Sequence, residues 1–285
     1  MKNLFILAYF LILIPVVGNS QSFKGIVRDS KTGEVLPYTN IGIRGKQIGG
    51  ISDRQGRFVI DLSSTLPEDI LVISYVGYSS REFQVAKLDF STENTVLLIP
   101  EARQLNEVIV HGKKSFVVLG NKVKSARHTG WGDFSSSKGR AIGLMIQEYD
   151  VAVRVNSVFF HLDACEFDSA LVRVNFFSPD GEHLTPFASQ QKNIFHTVNQ
   201  KKGWVEVRVW EDIILRNEKV IVAIEWVDAW AKLRSMEDGG SYVFTISLAK
   251  ASGYHYLRHT PEEQIQLINS AFTPSIYLSC TPIQD

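Results

Sequence analysis

Apolar and polar residues alternate along most of the chain with the two-residue period of strands, and no long stretch places apolar residues at helical spacing. In residues 22–112 the alternating runs fall at 23–28, 38–44, 57–61, 70–76, 81–85 and 95–99. Lys31-Thr32-Gly33, Asp53-Arg54-Gln55-Gly56 and Val76-Gly77-Tyr78 punctuate them as turns. Short strands about ten residues apart predict an all-β sandwich of the seven-strand Greek-key type. The second half has the same character. Residues 203–210 alternate strictly, with Val205, Val207 and Val209 on one face and Trp204, Glu206, Arg208 and Trp210 on the other. Further strands are predicted at 142–148, 155–162, 170–177, 219–227, 241–248, 253–258 and 275–280, with a turn at Ser178-Pro179-Asp180-Gly181. About eight or nine strands in 141–285 predict a second, jelly-roll-like sandwich. The one predicted helix is Pro261–Ile268, with Thr260 as N-cap and Pro261 in the first helical position.

The amino terminus follows a different pattern. Met1 and Lys2 precede an apolar run from Leu4 to Val17, shorter than the ~20 residues of a membrane span and interrupted by Pro15. Small and polar Gly18-Asn19-Ser20 follow, without a cysteine to carry a lipid. Residues 1–20 are therefore expected to be a signal peptide, and the mature chain to be exported with no membrane span. The remainder divides by charge. Residues 22–112 carry 10 basic and 11 acidic residues, 113–140 carry 7 and 1, and 141–285 carry 12 and 18. The basic middle segment, with Ser135-Ser136-Ser137 and several glycines, reads as a linker between two domains. Over the whole chain 30 Lys and Arg balance 30 Asp and Glu, which gives no support for a nucleic-acid partner.

Five ordered stretches of the first module carry a family pattern. They are Gly25–Asp29, Thr32–Ile41, Ser52–Phe58, Leu71–Tyr78 and Gln104–Val110. On these, residues 23–110 resemble the carboxypeptidase-regulatory-like domain, a transthyretin-like β-sandwich found at the start of many bacterial outer-membrane TonB-dependent receptors. The resemblance implies a fold and a cell-envelope setting, and it carries no reaction. Gly33 and Gly56 fall where hairpin turns call for positive φ. In such receptors a Leu-Asn-Glu-Val-Ile-Val-like tail leads on to a plug and a barrel. A barrel of ~22 strands needs over ~200 residues in strands alone, more than residues 113–285 supply. The chain is not expected to be the receptor itself.

Enzyme motifs are incomplete. His259-Thr260-Pro261-Glu262 matches the His-x-x-Glu of zinc carboxypeptidases, but no later histidine completes three ligands. His255 and His259 lie four apart in a stretch that reads as strand, where that spacing separates them by ~13 Å. Glu211-Asp212 and Glu262-Glu263 are adjacent pairs that point apart and serve solubility. No hydrolase elbow or phosphate loop is present. The expectation is no catalytic residue, metal or cofactor. Cys165 and Cys280, in an exported chain, are a candidate disulfide, with two buried thiols as the alternative.

Trp204, Trp210, Glu206 and Arg208 form the candidate ligand face: indoles beside charged groups on a flat sheet suit sugar stacking or protein packing. The same tryptophans alternatively cap the sandwich or meet the first domain. The sequence thus predicts a non-catalytic exported protein, periplasmic, outer-membrane-associated or secreted. It is expected to bind or scaffold an envelope protein partner, with a glycan partner bound through the aromatic face as the alternative.

Overall fold

The computed structural model describes residues 21–101, 116–131, 138–147, 149–179, 185–187, 189–231, 243–264 and 266–283. The expected signal peptide, the Gln104–Val110 stretch and the Asp180-Gly181 turn lie outside them. Nearly all regular structure among the described residues is strand.

The first module contains β1 (Ser22–Asp29), β2 (Asn40–Ile43), β3 (Gly49–Ile51), β4 (Arg57–Asp61), β5 (Ile70–Ser74), β6 (Tyr78–Ser79), β7 (Arg81–Gln84) and β8 (Asn94–Pro100). They form two four-stranded sheets, ordered β4-β1-β8-β6 and β3-β2-β5-β7. Alternation sets the core: Phe23, Val27, Phe58, Ile60, Val96 and Leu98 from one sheet meet Ile41, Ile43, Leu71 and Ile73 from the other. Gly33 and Gly56 adopt φ of 75° and 73°, as their turns require. The strands β3 and β6 are additional to the six expected, being too short or too glycine-rich to alternate visibly. The strand expected at 38–44 starts at Asn40, because Tyr38 sits at φ 59°, outside the extended region.

The second module contains β9 (Val117–Gly120), β10 (His128–Trp131), β11 (Ala141–Ile146), β12 (Val153–Cys165), β13 (Ser169–Ser178), β14 (Thr185–Pro186) and β15 (Ile194–Val198). It continues with β16 (Gly203–Arg208), β17 (Ile214–Leu215), β18 (Val220–Trp230), β19 (Phe244–Arg258), β20 (Gln266–Pro274) and β21 (Ile276–Pro282). One layer pairs β12 with β16, β17 and β21, and β21 with β9. The other runs β13-β18-β11-β19, with β15 and β14 on β13 and β20 on β19. β19 belongs to both layers. Phe244–Ser247 pairs with β10, while Leu248–Leu257 pairs with β20 across a register shift at Lys250/Gly253, the kind of bulge that bends a strand from one sheet into another. Between the layers Trp226 stacks on Trp131 at 6.0 Å and lies against Phe244 and Phe167.

The segment read as a linker, 113–140, therefore contributes two strands to the second module. Leu119 and Trp131 are buried in its core, with Lys122, Lys124 and Arg127 between these apolar anchors. The helix expected at Pro261–Ile268 is absent. Pro261-Glu262 is a turn with Glu262 at φ 68°, and Gln266–Pro274 is a strand held along β19. Nor do Glu262 and Glu263 serve solubility: Glu262 accepts the Ser74 hydroxyl at 2.8 Å, and buried Glu263 accepts the His259 N–H at 2.8 Å.

The two modules are joined through a buried ion cluster. Arg173 on β13 lies opposite Glu225 on β18, and Ala141 on β11 lies between Glu225 and Arg258 on β19. The small Ala141 leaves space for Arg258 to reach Glu225 across its row, at 2.9 Å. Arg173 holds Glu225 with two bonds, Nε at 2.9 Å and Nη2 at 2.6 Å, and Asn175 adds a third at 2.6 Å. The rest of the Arg173 guanidinium points into the first module, donating to the Tyr38 carbonyl at 2.9 Å and to Asn40 Oδ1 at 2.5 Å. Around this clamp, the Gly45 N–H donates to the Glu262 carbonyl, and Gly42 approaches Pro261 so closely that a Cβ there would stand 2.2 Å from its carbonyl oxygen. The first module thus docks through the β3-β2-β5-β7 sheet.

Cys165 and Cys280 are separate, buried thiols. Cys280 pairs with Val155, and Cys165 lies ten residues farther along the same strand, roughly 30 Å away at ~3.3 Å per residue. A bridge needs Cα atoms within about 7 Å, so the candidate disulfide is excluded. Burial raises both thiols, Cys280 to about 12.

Two outcomes follow from this packing. Replacing Arg173 with Met leaves Glu225 buried with one fewer cation and is expected to remove about 3–5 kcal/mol in urea unfolding at neutral pH. Burial opposes the Glu225 charge, but Arg173 and Arg258 outweigh it and hold its carboxyl below the usual value of 4.5. Its contribution is complete above that value and is lost as pH falls through the lower folded one, so the deficit of the Met variant should shrink only in acid. Unchanged stability of the variant would contradict the clamp. In thiol titration the native protein should be unreactive at pH 8 and the unfolded chain should react at both cysteines; an unfolded, unreduced chain that shows thiols only after reduction would contradict the register.

Candidate functional site

Alternation on β16 buries Val205 and Val207 and turns Trp204, Glu206 and Arg208 outward, as expected from the sequence. Of the four expected residues, Trp204 does not line the crevice that the other three share. Trp204 lies over the middle of its sheet, edge-on to His161 at 5.1 Å and to Tyr277 at 4.9 Å. Tyr277 in turn stacks flat on Phe159 at 4.6 Å, with Lys122 above its ring. Register explains the strip: His161 and Phe159 on β12 face Trp204 and Glu206 on one side, and Phe159 faces Tyr277 on the other. Its aromatic members beyond Trp204 are visible only once three strands distant in sequence are aligned.

Glu206, Arg208 and Trp210 belong to a second feature. They line a crevice of about 390 Å3 together with Asn193, Phe195 and His196 of the β15 segment, a volume within the usual range for small-molecule sites. Trp210 follows the end of β16 and is 84% exposed, the most open large apolar side chain among the described residues. Glu206 accepts the Ser157 hydroxyl at 2.8 Å and stands 3.9 Å from Arg208. Burial lowers the pKa of His196, with Glu206 opposing, so its ring is a neutral donor and acceptor at pH 7. His161 is likewise lowered, by burial and then by Lys124, and shares a 2.7 Å hydrogen bond with Ser247.

The histidines weighed as ligands stay apart in role. His255 lies within β19 opposite Leu144, and His259 lies beyond the strand beside Glu263. Among the described residues no group of three or more His, Cys, Asp or Glu is arranged to hold a metal ion. No described helix is long and apolar enough to cross a membrane.

Comparison with known proteins bears on the first module. TonB-dependent receptor P3 of Formosa agariphila is 32% identical over 152 residues, covering 50% of this chain and 15% of the receptor. TonB-dependent receptor SusC of Bacteroides thetaiotaomicron is 32% identical over 109 residues, covering 38% and 10%. The chain thus spans only a small part of the length of these curated relatives. Among solved structures, the cysteine protease and lectin-like domains of Cwp84, a surface layer associated protein of Clostridium difficile, match at 9% identity with a TM-score of 0.37. That match covers 86% of this chain and 59% of the other, a likeness too slight to transfer fold or function. Residues 23–110 of the 285 match the family model of the CarboxypepD_reg-like domain.

Proposed function

We propose that the protein is an exported, non-catalytic component of the bacterial cell envelope that binds and scaffolds a protein partner. The observation that carries this reading is the sidedness of the receptor-type domain. Its β3-β2-β5-β7 sheet is occupied by the second module, whereas the β4-β1-β8-β6 sheet keeps Val59, Leu97 and Ile99 at 74%, 43% and 53% exposure on its outer face. Apolar side chains that alternate with core residues and remain in water are the usual material of a protein contact. The relatives of this domain are parts of TonB-dependent receptors, which supports an envelope setting, and neither match nor sequence motif supplies a reaction.

A second reading has its own support. The outward Trp204 and the exposed Trp210 offer indole rings beside hydrogen-bonding groups, which suits a carbohydrate. In-cell crosslinking of the tagged chain separates the two. Leu97→Asp with Ile99→Asp should abolish capture of one dominant envelope protein and leave thermal stability near that of the parent, since both side chains face solvent. Trp204→Ala with Trp210→Ala should leave that capture intact. Loss of capture through the tryptophan pair alone, with polysaccharide retained by the parent, would replace the first reading by the second.

A further inference from the structure

We infer that the crevice between β15 and β16 is a saccharide-binding site whose inner wall is held in place by the first module; this rests on the carbohydrate reading above and assigns it a location. Trp210 leaves an indole face in water at the crevice, where burial against a ring would be favourable. A pyranose presents an apolar C–H face to such a ring and, around its edge, hydroxyls that donate and accept at once. The crevice supplies both kinds of partner. Arg208 donates, Glu206 and Glu211 accept, and neutral His196 does either. The mixture discriminates against strongly charged ligands: an anion meets Glu206 and Glu211, and a cation meets Arg208.

The β15 wall is where the first module enters. β15 is held by β13 along one edge, and no described strand pairs with its other edge, where side-chain contacts supply the support a second ladder would give. Asn193 and Phe195 line the crevice and also touch the clamp. Asn193 Oδ1 accepts from Arg173 Nη1 at 3.2 Å, and the Arg173 guanidinium lies 5.9 Å from the Phe195 ring. The Tyr38 ring packs against Phe195 at 5.6 Å, edge to face. Arg173 is itself anchored by the Tyr38 carbonyl and Asn40. Neither Tyr38 nor Asn40 lines the crevice, so their influence on a ligand passes through Arg173 and Phe195.

The test is calorimetric titration of the full chain with short neutral oligosaccharides of glucose, galactose, mannose and N-acetylglucosamine. At least one should bind. Trp210→Ala should weaken that binding about tenfold or more, as loss of an aromatic anchor does. Asn40→Ala and Tyr38→Leu, remote from the ligand, should each weaken it roughly threefold or more through the shared network. Thermal unfolding of each variant, followed by titration below its transition, separates a weakened site from an unfolded one. Trp204→Ala, outside the crevice, should bind like the parent. Binding that depends on Trp204 and not on Trp210 would overturn the crevice while sparing the carbohydrate reading. Binding that responds to Trp210→Ala but to neither first-module variant would overturn the role of that module. If none of the sugars binds, the inference and the carbohydrate reading fall together.

Discussion

A carboxylate with no access to water sets the conditions under which this protein is one object. Glu225 is fully buried, so its charge is tolerable only while cations and amide donors surround it. All three groups come from its own sheet, Arg173 and Asn175 from β13 and Arg258 from β19 beyond β11, and the main one, Arg173, is completed by acceptors in another module. Separating the modules would strip the Tyr38 and Asn40 acceptors from an almost fully buried guanidinium. The docking is thereby made specific: an apolar contact tolerates sliding, whereas a five-donor fork with fixed acceptors accepts one register.

That specificity explains several local departures from ordinary strand chemistry. Tyr38 holds a left-handed backbone because its carbonyl must face Arg173 while its ring reaches Phe195. The Pro261-Glu262 turn holds Glu262 in the same unusual region, and its carbonyl and carboxylate both end on the first module. Gly42 lies where any side chain would strike that turn. Each is a local cost offset by a contact made across the interface.

The sequence made legible what depends on period. Alternation located β1, β4, β11, β13, β16 and β21, and a run apolar on both faces located β18, because inward and outward positions differ in chemistry. The recognisable stretches of residues 23–110 identified the domain family, since turn glycines and core positions occur there in fixed order. What depends on distant partners stayed hidden. A local reading of Thr260-Pro261 yields a helix start, because the contacts that make it a turn come from residues more than two hundred positions earlier. The linker reading failed similarly: basic residues dominate the composition of 113–140, while Leu119 and Trp131 decide where it packs. Of the candidate face, the outward direction of Trp204, Glu206 and Arg208 was legible. Its division into strip and crevice was not, because that depends on which strands lie beside β16.

The pairing of β9 with β21 also orders events in time. A chain that emerges amino terminus first completes the first module once β8 has joined β1, using contacts within fewer than a hundred residues. The second module must wait, because β9 and one edge of β12 both take β21 as neighbour, more than a hundred residues downstream. Until then these strands hold unpaired edges and exposed apolar faces, the state in which β proteins self-associate. A finished first module beside an unfinished second one is therefore the vulnerable intermediate, and its yield should be governed by how quickly β21 becomes available rather than by the stability of the final fold.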